Sequence, residues 1–221
     1  MRVFLYSLIS IPLLFVDAVL LYSFPRGAGL RFAPLQWWLV GGGAISYALF
    51  HAVVRKPERM YLWGHEFTHL IAAKLFFREV HGFHITSRSG GKVVMDRTNV
   101  AIDLAPYAVP FYNVAALVPA ALFRGKYDHA DAVYLCAAAF LFTMHLCFSA
   151  EGFFQGQPDV RRSGRIFSFA VVLLFLVLWV PCLAAPGTRG GFHGLPHLYR
   201  EWLRDGLVAG RELFARGRAL L

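Results

Sequence analysis

His65-Glu66-Phe67-Thr68-His69 is the run of residues in this chain with the most chemistry in it. On a helix, residues four apart share a face, so the two imidazoles can converge on one divalent metal ion such as Zn²⁺. Glu66, one position along, then reaches a water molecule in the metal's open position and can act as general base, the arrangement of a metal-dependent hydrolase. The setting is unusual, because the same residues lie in a stretch apolar enough to cross a bilayer. Ionisable groups are expensive there unless they face the protein interior and perform a task, so the cluster is expected to be a functional site.

A catalytic zinc needs a third protein ligand and a position left open for water. The extended metzincin pattern would place a glycine at position 72 and a histidine at position 75; Ala72 and Leu75 exclude it. The best downstream candidate is Asp159, in Glu151-Gly152-Phe153-Phe154-Gln155-Gly156-Gln157-Pro158-Asp159. That Gly/Pro-broken segment would have to dip inward to reach the metal, which is tolerated where backbone lines a wet cavity. His145 and Glu151 are alternative ligands or outer partners, with helix–helix hydrogen bonding as the simpler reading.

The elements that must position these residues follow from composition. Of 221 residues 57% are hydrophobic and 16% charged, with mean hydropathy +0.52, which points to an all-α polytopic membrane protein. Six transmembrane spans can be drawn, at about 3–23, 34–54, 60–77, 100–123, 132–151 and 165–185. The first is a retained helix rather than a signal peptide, since no small-x-small cleavage site precedes Arg26. Strand-like segments 79–86 and 92–98, joined by Ser87-Arg88-Ser89-Gly90-Gly91, predict a β-hairpin after the motif helix. Residues 1–186 thus form a membrane domain, and 187–221 a connector followed by a basic amphipathic helix suited to a membrane surface. The net charge of +9 is spread over short segments between apolar spans, so membrane-flanking cations explain it and nucleic acid is not an expected partner. Lys and Arg divide too evenly among the loops to orient the chain.

Several other residues carry narrower expectations. Pro106, Pro110 and Pro119 should kink or partly unwind the fourth span. Gly41-Gly42-Gly43 permits close helix approach or a hinge, and Trp37-Trp38 suits an interfacial aromatic belt. Asp17 is expected to pair with a neighbouring helix, and His81 and His84 to lie on the hairpin surface. Cys136, Cys147 and Cys182 have no metal-ligand spacing and read as small buried hydrophobes.

The motif in a transmembrane helix, followed by a hairpin, a kinked helix and a later aspartate, resembles the site-2-protease class of intramembrane metallopeptidases. The likeness is more specific to a divergent bacterial branch, through Ser89-Gly90-Gly91, Thr98-Asn99, Leu104-Ala105-Pro106-Tyr107 with Pro110, and Gln157-Pro158-Asp159. It covers about residues 60–170 and implies that His65, His69 and Asp159 bind zinc and that Glu66 is the general base. It further implies a zinc endopeptidase of a bacterial inner membrane that cuts membrane-protein substrates in or near the bilayer. The hairpin would clamp the unwound substrate by strand addition, and Asn99 or Asn113 would donate to the oxyanion. Better-known members carry an Asn-Pro and Leu-Asp-Gly signature, whereas Pro158 and Val160 flank Asp159 here. The rival expectation is a non-proteolytic metal-binding scaffold or accessory subunit of a membrane complex. A transporter is disfavoured, since no paired broken helices mark two corresponding halves.

Overall fold

A backbone surrounded by apolar side chains must satisfy its own N–H and C=O groups, and the helix does this locally. Helices accordingly dominate the computed structural model, which describes residues 2–23, 32–54, 56–86, 90–127, 129–188 and 190–219. In chain order they are α1 (Arg2–Ser23), α2 (Pro34–Val53), α3 (Glu58–Leu75), α4 (Val100–Ala108), α5 (Phe111–Phe123), α6 (Ala130–Gln155), α7 (Pro158–Ser163), α8 (Arg165–Ala184) and α9 (Leu195–Ala219). The 3-10 turns Ala185–Gly187 and Gly191–Gly194 lie between α8 and α9.

The hairpin is present as β1 (Val80–Thr86) and β2 (Gly90–Met95), antiparallel, with Val80 opposite Met95 and Thr86 opposite Gly90. Its predicted turn residues 87–89, like Arg26, lie outside the described residues. The second strand begins at Gly90 and stops at Met95, short of the expected 98, because Asn99 caps α4: its side chain accepts from the Ile102 N–H at 2.9 Å. His81 and His84 are both exposed, as expected of a hairpin surface.

Among the described residues three helices are by themselves long and apolar enough to cross a membrane, Phe4–Ser23, Ala130–Gln155 and Arg165–Gly187. The α2–α3 and α4–α5 pairs qualify only together, as bent pairs, which raises the count to five at most against the six expected. The difference has a local cause in α3, where Glu58, Arg59, His65, Glu66, His69 and Lys74 dilute the apolar run. The 60° bend between α4 and α5 falls at Pro110, which lacks the N–H needed to continue the ladder; Pro106 and Pro119 sit inside helices.

Helix pairings fix the frame. Tyr6 stacks on Phe167 at 4.6 Å, and Leu20 packs with Val177, so α1 and α8 run parallel. On α2, Gly43 lets the Cys136 carbonyl of α6 approach, while Tyr47, Met144 and Phe148 fill the space beside it. The close-approach reading of the triple glycine therefore holds at Gly43, with open space at Gly41 and Gly42. The basic tail is helical as expected and packs one face on α1, with the Trp202 indole donating to the Leu20 carbonyl at 3.2 Å. The three cysteines are free and half-buried, less enclosed than expected. Asp17 corrects another expectation: it is fully buried in α1, yet neither carboxylate oxygen has a partner among the described residues.

A side chain at Gly43 would overlap backbone that cannot move aside. Gly43→Val is therefore expected to destabilise the protein by about 1–3 kcal/mol or more, and Gly41→Val to be near neutral, as read by thermal unfolding in detergent.

Candidate metal centre

The candidate donors come from α3 and α7, with α4 orienting one of them, and the reason they meet is local in each case. On α3 the four-residue spacing stacks His65 and His69, with ring centroids 5.0 Å apart. Helix α3 runs antiparallel to α4 and α5: the Tyr112 hydroxyl donates to the Met60 carbonyl, His65 meets Tyr107, and His69 meets Ile102. The free carbonyl of Ile102 accepts from His69 Nδ1 at 2.9 Å, which turns Nε2 toward the cavity. Asp159 arrives on the six-residue α7, set between Gly156 (φ 66°) and Gly164 (φ 86°), with Pro158 at its first turn. The segment expected to lack regular structure is thus a short helix between two backbone reversals.

These placements bring His65, His69 and Asp159 together. One donor atom from each lies within 4.8 Å of the others; Asp159 Oδ2 is 3.3 Å from His69 Nε2 and 3.9 Å from His65 Nε2. Burial works to raise the Asp159 carboxyl, but the facing imidazoles of His65 and His69, the latter within hydrogen-bond distance, outweigh it and hold the group well below the usual carboxylate range. Arg162 bridges Asp103 at 2.8 Å and Asp159 Oδ1 at 3.5 Å. Asp103 is buried and further accepts from the Thr98 hydroxyl at 2.6 Å. Asp159 Oδ1 is therefore occupied by arginine while Oδ2 faces the imidazoles. The donor set fits a divalent cation: two imidazole nitrogens and an ionised carboxylate at convergent distances, with the carboxylate oriented from behind.

Around these ligands lies a cavity of about 930 Å³, lined by Glu66, Tyr107, Gly152, Arg162 and the whole of β2. Glu66 is buried on its wall, and the Val93 backbone N–H of β2 is hydrogen-bonded to its carboxylate. Gly91 is packed so tightly on Glu66 that a Cβ there would overlap the glutamate side chain. Tyr107 is buried, edge-on to His65 at 5.2 Å, and its hydroxyl has no hydrogen-bond partner among the described residues. Gly152 makes room for its ring, since a Cβ there would sit 2.9 Å from Tyr107 Cε1.

Other sequence candidates fall elsewhere. His145 Nε2 bonds the Tyr107 carbonyl at 2.8 Å, and Glu151 is held by Lys56 and by His51 at 3.1 Å, so both make helix–helix contacts and neither joins the three-donor group. Glu151 does line the cavity rim. Asn99 caps α4 through its amide oxygen, Asn113 Nδ2 donates to the Ala138 carbonyl, and neither of these expected oxyanion donors lines the cavity. Sequence reasoning assigned no role to Asp103 or Arg162, and Tyr107 entered only as part of the motif carrying the family likeness. An acid inside the apolar 100–123 run was the available signal for Asp103; an orphan phenol is visible only in three dimensions.

Fold and site together define a mostly helical chain with three to five apolar spans, compatible with a membrane protein, and a three-residue cluster that could hold a metal. No protein-family model matches the chain, and comparison with curated proteins and with solved structures found no match.

Elemental analysis after purification in detergent is expected to find a divalent ion in the wild type and little in His69→Ala or Asp159→Ala. Arg162→Gln leaves all three donors in place but frees Asp159 Oδ1, and should weaken metal affinity about 10–100-fold, measured by competition with a chelator.

Proposed function

We propose that this chain is a zinc-dependent intramembrane endopeptidase of the site-2-protease class, resident in a bacterial inner membrane, acting on transmembrane or membrane-proximal segments of other membrane proteins. The observation that carries this reading is the convergence of His65, His69 and Asp159 beside Glu66 on one large cavity within an apolar helical protein. Two imidazoles and one carboxylate with an approach for water suit Zn²⁺ better than the oxygen-seeking cations. Held by His65, His69 and Asp159, zinc would supply Lewis-acid chemistry, lowering the pKa of water and polarising a scissile carbonyl.

The residues of the chain then have distinct tasks. Glu66 removes the proton from the attacking water and returns it to the leaving amine. Its carboxylate is pre-positioned by the Val93 N–H. Tyr107 takes the role expected of Asn99 or Asn113: its unpartnered phenol donates to the charge that develops on the carbonyl oxygen. Such a donor is valuable in a site shielded from bulk water, where a preset hydrogen bond needs no reorganisation. Strand β2 lines the cavity along its length, so an extended peptide adding to it would pass beside Glu66, with Gly91 removing the side chain that would obstruct the approach. A helical substrate must unwind first, because its carbonyls are otherwise bonded within the helix.

Glu66→Gln should lower cleavage of a reconstituted membrane reporter at least about 100-fold while leaving zinc content and unfolding temperature close to wild type. Tyr107→Phe should lower kcat by about 10²–10³-fold with little change in KM. Undiminished activity in Glu66→Gln would overturn the assignment. A zinc-loaded wild type that cuts no membrane reporter, and whose loss leaves a membrane complex unassembled, would favour the scaffold or accessory-subunit reading instead.

A further inference from the structure

Helix α9 presents four chemically different flanks, as a projection at about 100° per residue makes plain. One flank, Leu198, Trp202, Gly206 and Ala209, is buried, with Trp202 and Gly206 against the Val19–Ser23 end of α1. Next to it runs an exposed apolar stripe, Leu203, Leu207 and Phe214, at 48%, 68% and 64% exposure. Beside that stripe stand Arg200, Arg204, Arg211 and Arg218 in one row, all exposed and with no ion pair among the described residues. The acids Glu201, Asp205 and Glu212 lie together on the side facing away from the stripe, where Glu201 approaches His197 at 3.4 Å.

We propose that the stripe and arginine row of α9 dock on anionic phospholipid headgroups. Charge complementarity argues for this partner: a row of unpaired arginines beside the apolar stripe, with the acids about 100° away round the helix and turned from the stripe, calls for an external anionic surface. Arg200 and Arg204, one turn apart, repel each other until such a surface supplies the counter-charge. The adjoining Leu and Phe side chains are what an interfacial helix sinks into the boundary between headgroups and acyl chains. Position agrees as well. Helix α9 follows the end of α8 and crosses the end of α1, where the apolar spans Phe4–Ser23 and Arg165–Gly187 terminate and where a bilayer crossed by them would place its headgroups. The proposal stands whether or not the chain is a peptidase.

The test uses the full chain in lipid nanodiscs, made either from phosphatidylcholine alone or from phosphatidylcholine mixed with phosphatidylglycerol, and reads backbone hydrogen exchange across 195–219. Exchange in α9 should be slower in the mixed discs, and the difference should shrink with added salt. Combining Arg200→Gln, Arg204→Gln, Arg211→Gln and Arg218→Gln should erase it while exchange in α8 stays as in the wild type. The double variant Arg200→Gln/Arg211→Gln should retain part of it, each arginine near an anionic surface being worth about fivefold in binding. Equal α9 exchange of the wild type in the two lipids, or a lipid difference that survives in the four-arginine variant, overturns the proposal. So does slowing by a duplex oligonucleotide in phosphatidylcholine discs without any response to phosphatidylglycerol, which would assign the row to nucleic acid.

Discussion

Polar side chains removed from water must find one another, and in this chain the contact between His69 and Asp159 is where that requirement gathers the fold. The carboxylate lies 90 residues along the chain from the imidazole, on a helix of six residues that α3 alone would have no reason to meet. Each polar group recruited to the pair brings its own element. Ile102 commits the first turn of α4, Arg162 ties Asp159 back to Asp103, and Thr98 fastens the end of the hairpin connection to the same carboxylate. Burial of any one group alone would carry a desolvation penalty of several kcal/mol; as a connected set they are satisfied. The hairpin, α4 and α7 are thus held around α3 by a polar chain rather than by apolar packing alone.

What could be read from sequence and what could not divides along the same physical line. The four-residue spacing of His65 and His69 is a property of any helix, so their common face was legible without a structure. Asp159 was legible as a candidate because few acids follow the motif in a segment broken by Gly156 and Pro158. The crossing count was not legible: hydropathy along a window registers composition, whereas the α2–α3 and α4–α5 pairs are bent, and an apolar stretch does not state its own direction. Asn99 illustrates a different loss. Its side chain could have served chemistry or capping, and the Ile102 N–H three residues on decides for capping. Asp17 resisted for a third reason, since a buried acid predicts a partner and this one has none among the described residues.

The frame also separates two chemical environments. Parallel packing of α1 and α8 sets their starts at one end and their finishes at the other. Helix α7, with the Asp159 carboxylate, leads directly into the start of α8, whereas α9 and its arginines follow the finish. The acidic and imidazole groups of the cavity and the cationic row of the tail are therefore kept about a helix length apart, roughly 30 Å for 20 residues. Charges of opposite sign that would attract in a shorter fold are insulated from each other by apolar helix.

Gly156 and Gly164 belong to this account although neither has a side chain to contribute. Both adopt positive φ, where a β-carbon is strained, and a β-carbon at Gly156 would in addition press on Arg161 and Arg165. The seven residues between them, Gln157 and helix α7, form a short plate set between two pivots, and the plate carries Asp159. Variation that leaves every donor atom untouched can thus still unseat the carboxylate by altering a pivot. The set of residues on which the centre depends is wider than the set that touches it, and some of its least replaceable members have no chemistry of their own.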